Sequence, residues 1–136
     1  RQFEEAGIPV QMETVQRGTL LELIANNQAL FFRGSWIADY PDPENYLSVF
    51  NGSNPAPPNN TRFSDKNFDR LYEKALKENN DSVRTTLYQQ MDSIVVEESP
   101  VIPLWYDMAI HLVNPRITGF RPNALNMLEL RHCRKR

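Results

Sequence analysis

Trp36 and Asp39 sit close together in the run Gly34-Ser35-Trp36-Ile37-Ala38-Asp39-Tyr40-Pro41-Asp42-Pro43. An aromatic ring face beside a carboxylate suits a cationic amine, through attraction to the ring quadrupole and a charge-assisted hydrogen bond. The same two residues also have a plainer reading, in which Trp36 packs a core and Asp39 caps a turn. With Asp42 or Glu44 as a second carboxylate, Asp39 would instead be half of an acid/base hydrolase pair. Other catalytic signatures are absent: there is no glycine-rich phosphate loop, no Gly-x-Ser-x-Gly elbow and no paired-histidine zinc motif. Cys133 is the only cysteine, and with His111 and His132 it falls short of a Cys/His structural zinc site, so neither a metal nor a cofactor is expected. His111, among apolar neighbours, reads as a structural histidine. Trp105 and Tyr106 read as packing residues rather than a stacking platform. The basic run Arg131-His132-Cys133-Arg134-Lys135-Arg136 reads as a solvated, frayed terminus.

The elements that must position these residues follow from periodicity. Arg1 to Ala6 followed by Gly7 has the form of a helix end with glycine at C′. Ile8, Val10 and Met12 alternate with polar residues, which predicts a strand to about Val15. Leu20, Leu21, Leu23 and Ile24 suit a short helix closed near Asn26-Asn27, and Ala29-Leu30-Phe31-Phe32 is an apolar run of strand length. Strand, helix, strand in that order predicts a βαβ unit with a parallel pair. The Trp36–Asp39 run follows its second strand, and ligands in open α/β sheets bind beyond the carboxyl ends of the strands.

Asp42-Pro43-Glu44 is a helix start, with Asp as N-cap, proline at the first helical position and an acidic residue in the first turn. Residues 51–60 are rich in Asn, Pro, Gly and Ser and predict a surface loop; Asn51, Asn59 and Asn80 match a glycosylation pattern that carries little weight in so Asn-rich a chain. Ser64 as cap, then Phe68, Leu71, Tyr72, Ala75 and Leu76, predict one helix. Asn80 or Asp81 as cap, then Val83, Leu87, Met91 and Ile94-Val95, predict a second, giving a helical hairpin. Val101 to Tyr106 and Ala109 to Val113 are β-type runs on either side of Asp107-Met108.

The chain has 136 residues, enough for one compact domain. It carries 15 basic and 17 acidic side chains, a formal charge of −2, which argues against a nucleic-acid partner. At 40% hydrophobic and 24% charged residues the composition is that of a globular protein, and no apolar run approaches the ~20 residues of a membrane-spanning helix.

The span Trp36-Ile37-Ala38-Asp39-Tyr40-Pro41-Asp42-Pro43-Glu44-Asn45-Tyr46-Leu47 closely resembles the tryptophan, acidic and Asp-Pro segment of the family 5 extracellular solute-binding proteins, the dipeptide and oligopeptide receptors of ABC importers. The resemblance continues in order. Phe63-Ser64 and Phe68-Asp69 are similar to the element before that family's helical pair, and Arg84 to Tyr88 to its Arg-x-x-Leu-Tyr helix. Ser99 to Tyr106 resembles its Pro-x-Ile-Pro-Leu strand, and Asn114-Pro115-Arg116 with Gly119-Phe120 its exit.

The resemblance implies a mixed α/β fragment of a two-lobed periplasmic binding protein, taken from its C-terminal lobe. On that reading residues 1–136 are a single domain fragment in which the segment from about 114 to 136 returns toward the other lobe. It further implies a non-enzymatic role: binding di- or oligopeptides between closing lobes and delivering them to a membrane permease. The residue matching Asp39 takes the peptide α-amino group, Trp36 lies by the same pocket, and the adjacent Tyr40 completes the expected ligand-binding set. Family members also carry nickel complexes, haem or sugars, which keeps a non-peptide ligand open. The implied partners are the solute, the permease subunits and an N-terminal lobe lying outside this stretch. The implied location is periplasmic or cell-surface, with lipid anchoring as one option and any signal segment outside this stretch. A rival from another class is an interaction module using the face left open by the other lobe.

Overall fold

The computed structural model describes residues 2–106, 108–123 and 125–136. The chain divides into two compact units, Arg1–Arg33 and Gly34–Arg136.

The first unit holds two helices, α1 (Gln2–Glu5) and α2 (Arg17–Ala25). Gly7 at φ 77° ends α1 by bringing its N–H to the Glu4 carbonyl and that of Ile8 to Phe3, the glycine-dependent helix stop expected from the sequence. Asn27, at φ 58°, closes α2 in the same left-handed manner, with the Gln28 N–H on the Leu23 carbonyl at 2.7 Å. The parallel ladder expected between residues 8–15 and 29–32 is not formed: neither stretch carries a strand, and Met12, Leu30 and Phe31 are exposed. The alternation of Ile8, Val10 and Met12 selects a strand only where another strand takes up the backbone N–H and C=O groups and a layer covers the apolar face.

The second unit is built on a helical hairpin, α4 (Lys66–Lys77) and α5 (Asp81–Glu98), preceded by the one-turn helix α3 (Glu44–Leu47), which runs on into a 3₁₀ turn at Ser48–Phe50. The start of α4 is capped by Asp65 rather than Ser64: its Oδ1 accepts from the Phe68 N–H at 2.7 Å. Asn80 caps α5 as expected, accepting from the N–H groups of Ser82 and Val83. The predicted 3.6-residue stripes meet in a core of Phe68, Leu71, Tyr72, Ala75, Leu87, Tyr88, Met91 and Val95, joined by Leu47 from α3. Phe50, Phe63 and Phe68 close one side of it edge to face, with centroids 5.7–6.4 Å apart.

The 51–60 loop is more than turn formers. Asn59 is buried and fully bonded, donating to the carbonyls of Asn51 and Phe63 and accepting from Phe63 N–H and Thr61, so it ties the loop to the start of the hairpin.

After the hairpin the β-type runs 101–106 and 108–113 form no strand among the described residues; Asp107 lies outside them. Trp105 and Tyr106 are therefore exposed and outside the core, since the described residues form no sheet here to bury them. The sheet that does form is a two-stranded antiparallel pair, β1 (Ile117–Thr118) and β2 (Arg134–Lys135), with Ile117 opposite Lys135. The basic terminus is thus laddered rather than frayed, and Arg136 N–H also reaches the Arg116 carbonyl at 2.8 Å. Gly119, at φ 81°, permits this return: a Cβ there would stand 2.0 Å from the His132 carbonyl oxygen.

Candidate functional site

Asp42 and Glu44 position the segment that carries Trp36, Asp39 and Tyr40. Asp42 accepts from the Glu44 N–H at 2.9 Å, so it performs the expected capping, while Pro43 already has helical backbone angles. The same Asp42 carboxylate accepts from the Tyr88 hydroxyl at 3.2 Å and pairs with Arg84 at 3.3 Å, reaching α5 from both oxygens. Arg84 also pairs with Asp81 and lies 5.8 Å above the Tyr88 ring centroid. Glu44 is divided likewise: one carboxylate oxygen accepts from the Tyr72 hydroxyl of α4, the other from Tyr40. Two acidic residues and two core tyrosines therefore clamp the one-turn helix onto both arms of the hairpin.

These contacts set the state of the phenols. Burial, the adjacent Asp42 charge and the hydrogen bond to it push Tyr88 up to about 12. Tyr40 is also raised, chiefly because its proton is held by Glu44, with the Asn45 amide pulling the other way. Both hydroxyls are protonated donors at neutral pH.

Asn45 stands at the centre of the predicted set. It is 3% exposed, and its Oδ1 accepts from the Trp36 indole N–H at 2.8 Å and from the Asp39 backbone N–H at 3.3 Å. Trp36 is 37% exposed and outside the core cluster, so the packing reading fails for it. Asp39 and Tyr40 are exposed as well. Asp39 contributes its backbone N–H to the loop's internal bonding, and its carboxylate pairs with no described residue. The segment thus exposes an indole, a carboxylate and a phenol within five residues, with the indole and the Asp39 backbone held on one buried amide; residue types of this kind can hold an ammonium group beside an aromatic face.

The carboxylates that a hydrolase would need are committed elsewhere, Asp42 to Arg84 and Tyr88, Glu44 to the two phenols. Among the described residues no three His, Cys, Asp or Glu side chains gather as a metal site. His111 sets its ring against Phe120, centroids 5.2 Å apart, and takes no part in the Asn45 cluster. A cleft of about 390 Å³ opens between α4 and α5 at Arg70, Lys74 and Gln90, and another of about 350 Å³ lies against Ile110, Phe120 and Cys133; neither includes Trp36, Asp39 or Tyr40. No described helix is long and apolar enough to cross a membrane.

Sequence reasoning did not single out Asn45, Tyr72, Tyr88 or Arg84 as parts of the site. The available signal was the amphipathic spacing of Tyr72 and Tyr88, which marks them as inward-facing, so that their hydroxyls need buried partners.

Comparison with known proteins bears on the fold. The dipeptide-binding protein DppE of Bacillus subtilis is 26% identical over 129 residues, 95% of this chain and 23% of its own length. Among solved structures, the unliganded open form of the periplasmic murein tripeptide-binding protein MppA superposes with a TM-score of 0.75 at 22% identity, over 91% of this chain and 23% of that one. These relatives are family 5 solute-binding proteins, and the chain is similar to a part of them. It spans less than a quarter of the length of these relatives. Another relative, heme-binding protein A of Haemophilus influenzae, is 35% identical over 86 residues, 62% of this chain and 16% of its own. No family model matches the chain. The names these relatives carry are those of binding proteins, and their fold is the one that the motif order from Trp36 to Phe120 implied.

Proposed function

We propose that this stretch belongs to the solute receptor of an ABC importer, located in the periplasm or at the cell surface, which binds peptides and hands them to a membrane permease without chemical turnover. The exposed Asp39, Trp36 and Tyr40, with the Trp36 indole and the Asp39 backbone N–H both held by the Asn45 amide, are the observation that supports it most directly. Asp39 receives the peptide α-ammonium, Trp36 covers it with a ring face, and Tyr40 flanks it. Residues 1–136 then form part of the C-terminal lobe, with the segment from about 114 to 136 returning toward the other lobe, and ligand closes the two lobes about a hinge. Dipeptide, tripeptide and haem binding among the names of relatives supports a receptor role while leaving the ligand for experiment.

Calorimetric titration of the full-length protein carrying this sequence, with di- to pentapeptides bearing free or blocked N-termini, tests the reading. Binding that the block abolishes is the expected result. Asp39→Ala is expected to weaken free-amino peptides by at least about 1.4 kcal/mol, a tenfold loss, because a desolvated ammonium loses its partner. Silence across the library, with binding of haem, a nickel complex or a sugar instead, would transfer the site to a non-peptide ligand. Intact recovery of bound peptide separates a receptor from a hydrolase.

A further inference from the structure

We infer that Asn45 is the positioning residue of this site: one buried amide that fixes the Trp36 indole and the Asp39 backbone relative to one another and ties them to the helical hairpin. The inference rests on the ligand-site reading above and adds to it the residue on which the geometry depends.

The side chain spends its acceptor on the site, not on the core. Oδ1 takes the Trp36 indole N–H and the Asp39 backbone N–H together. Indole and backbone N–H groups only donate, so the amide is held with its oxygen toward them; a flipped amide would set NH₂ against two donors. The Asn45 amide also acts on the Tyr40 hydroxyl, against the pull of Glu44. The Trp36 indole and the Asp39 backbone therefore share one anchor, and Tyr40 is held by Glu44, the preceding residue of the same helix.

That anchor is rigid because its helix is. Asn45 sits on α3 between Glu44, held by Tyr72 of α4, and Leu47, buried in the hairpin core. Its own carbonyl accepts from Ser48 Oγ at 2.8 Å, and its N–H donates to the Asp42 carbonyl. A ligand-binding constellation held in place by supporting hydrogen bonds loses less freedom on binding than a loose one. An apolar residue here would fill the space and leave the indole and the Asp39 N–H to water.

The test uses the full-length protein labelled with ¹⁵N-tryptophan, the Trp36 indole resonance being assigned by its loss in Trp36→Phe. Three variants are compared with it. Asn45→Leu keeps the volume and removes the acceptor, Asn45→Ala removes both, and Asn45→Asp keeps the acceptor at the same place. Expected are indole N–H exchange at Trp36 faster by about tenfold or more in the Leu and Ala variants, and affinity for a free-amino peptide lower by about tenfold at unchanged stoichiometry. The Asp variant should restore the indole protection and much of the affinity.

Wild-type affinity with a reduced binding-competent fraction in Asn45→Leu would overturn the inference and leave Asn45 a stabilising residue only. Unaltered Trp36 exchange in Asn45→Leu, or an Asp variant no better than the Leu variant, would overturn it too. If the parent binds no free-amino peptide yet Trp36 exchange follows residue 45 as described, the ligand reading fails while the positioning role stands.

Discussion

The hairpin at 66–98 and the run at 101–113 lie side by side in the sequence, and the run is the more uniformly apolar of the two. Yet Phe68 and Met91 of the hairpin are 0% exposed, whereas Leu112 is 97% and Tyr106 fully exposed. Apolar content does not separate them; backbone hydrogen bonding does. Helices satisfy their N–H and C=O groups within a few residues, so two of them joined by a three-residue turn complete a core from one short stretch of chain. A strand must find its partners elsewhere in the polypeptide. The run at 101–113 has strand composition, and among the described residues no strand lies beside it, so its apolar side chains have no face to cover.

This contrast can be broken or sharpened by experiment. The largest effect belongs to the hairpin: Phe68→Ala should cost about 3–5 kcal/mol in urea unfolding followed by circular dichroism at the helix band. Leu112→Ser, by contrast, should stay within about 0.5 kcal/mol in the same chain, and a cost comparable to that of Phe68→Ala would mean that 101–113 is packed after all. Removing the cap of α5 with Asn80→Ala should cost about 1 kcal/mol, since the N–H groups of Ser82 and Val83 lose their acceptor.

The smallest effect at neutral pH is that of Tyr88. Its folded pKa, raised from 10.0 to about 12, means that the fold favours the protonated phenol. The contribution is whole below pH 10 and is lost as pH climbs from 10 through about 12. Unfolding midpoints measured across that window should fall in wild type and fall less in Tyr88→Phe; identical profiles would remove the Asp42–Tyr88 bond from the account of how α3 is held.

The positions of the helices were legible from local information. Spacing of apolar residues and the caps at Gly7, Asn27 and Asn80 act within one or two turns, so they can be read residue by residue. Even the misassigned cap, Ser64 for Asp65, was off by a single position. Trp36, Asp39 and Tyr40 could be proposed as a group from the sequence because their chemistry and their order within the longer motif agree. Their common support was not legible. Asn45 in a helical turn looks like any exposed polar residue until Leu47 and Glu44 turn that helix onto the hairpin and bury it.

By itself, then, the sequence determined what each short stretch can do: where helices start and stop, which faces are apolar, and which run carries an indole beside a carboxylate. The tertiary structure alone decided which bonds cross long intervals of chain, among them Glu44 to Tyr72, Asp42 to Tyr88, and the β1–β2 ladder that turns a basic tail into an edge of sheet. It also decided that, among the described residues, the strand-like segments stay unpaired. The reason is physical: helical hydrogen bonds are local and can be inferred from neighbours, whereas the partner of a strand, or of a buried phenol, is chosen by packing between distant residues, and no periodicity in one segment encodes it.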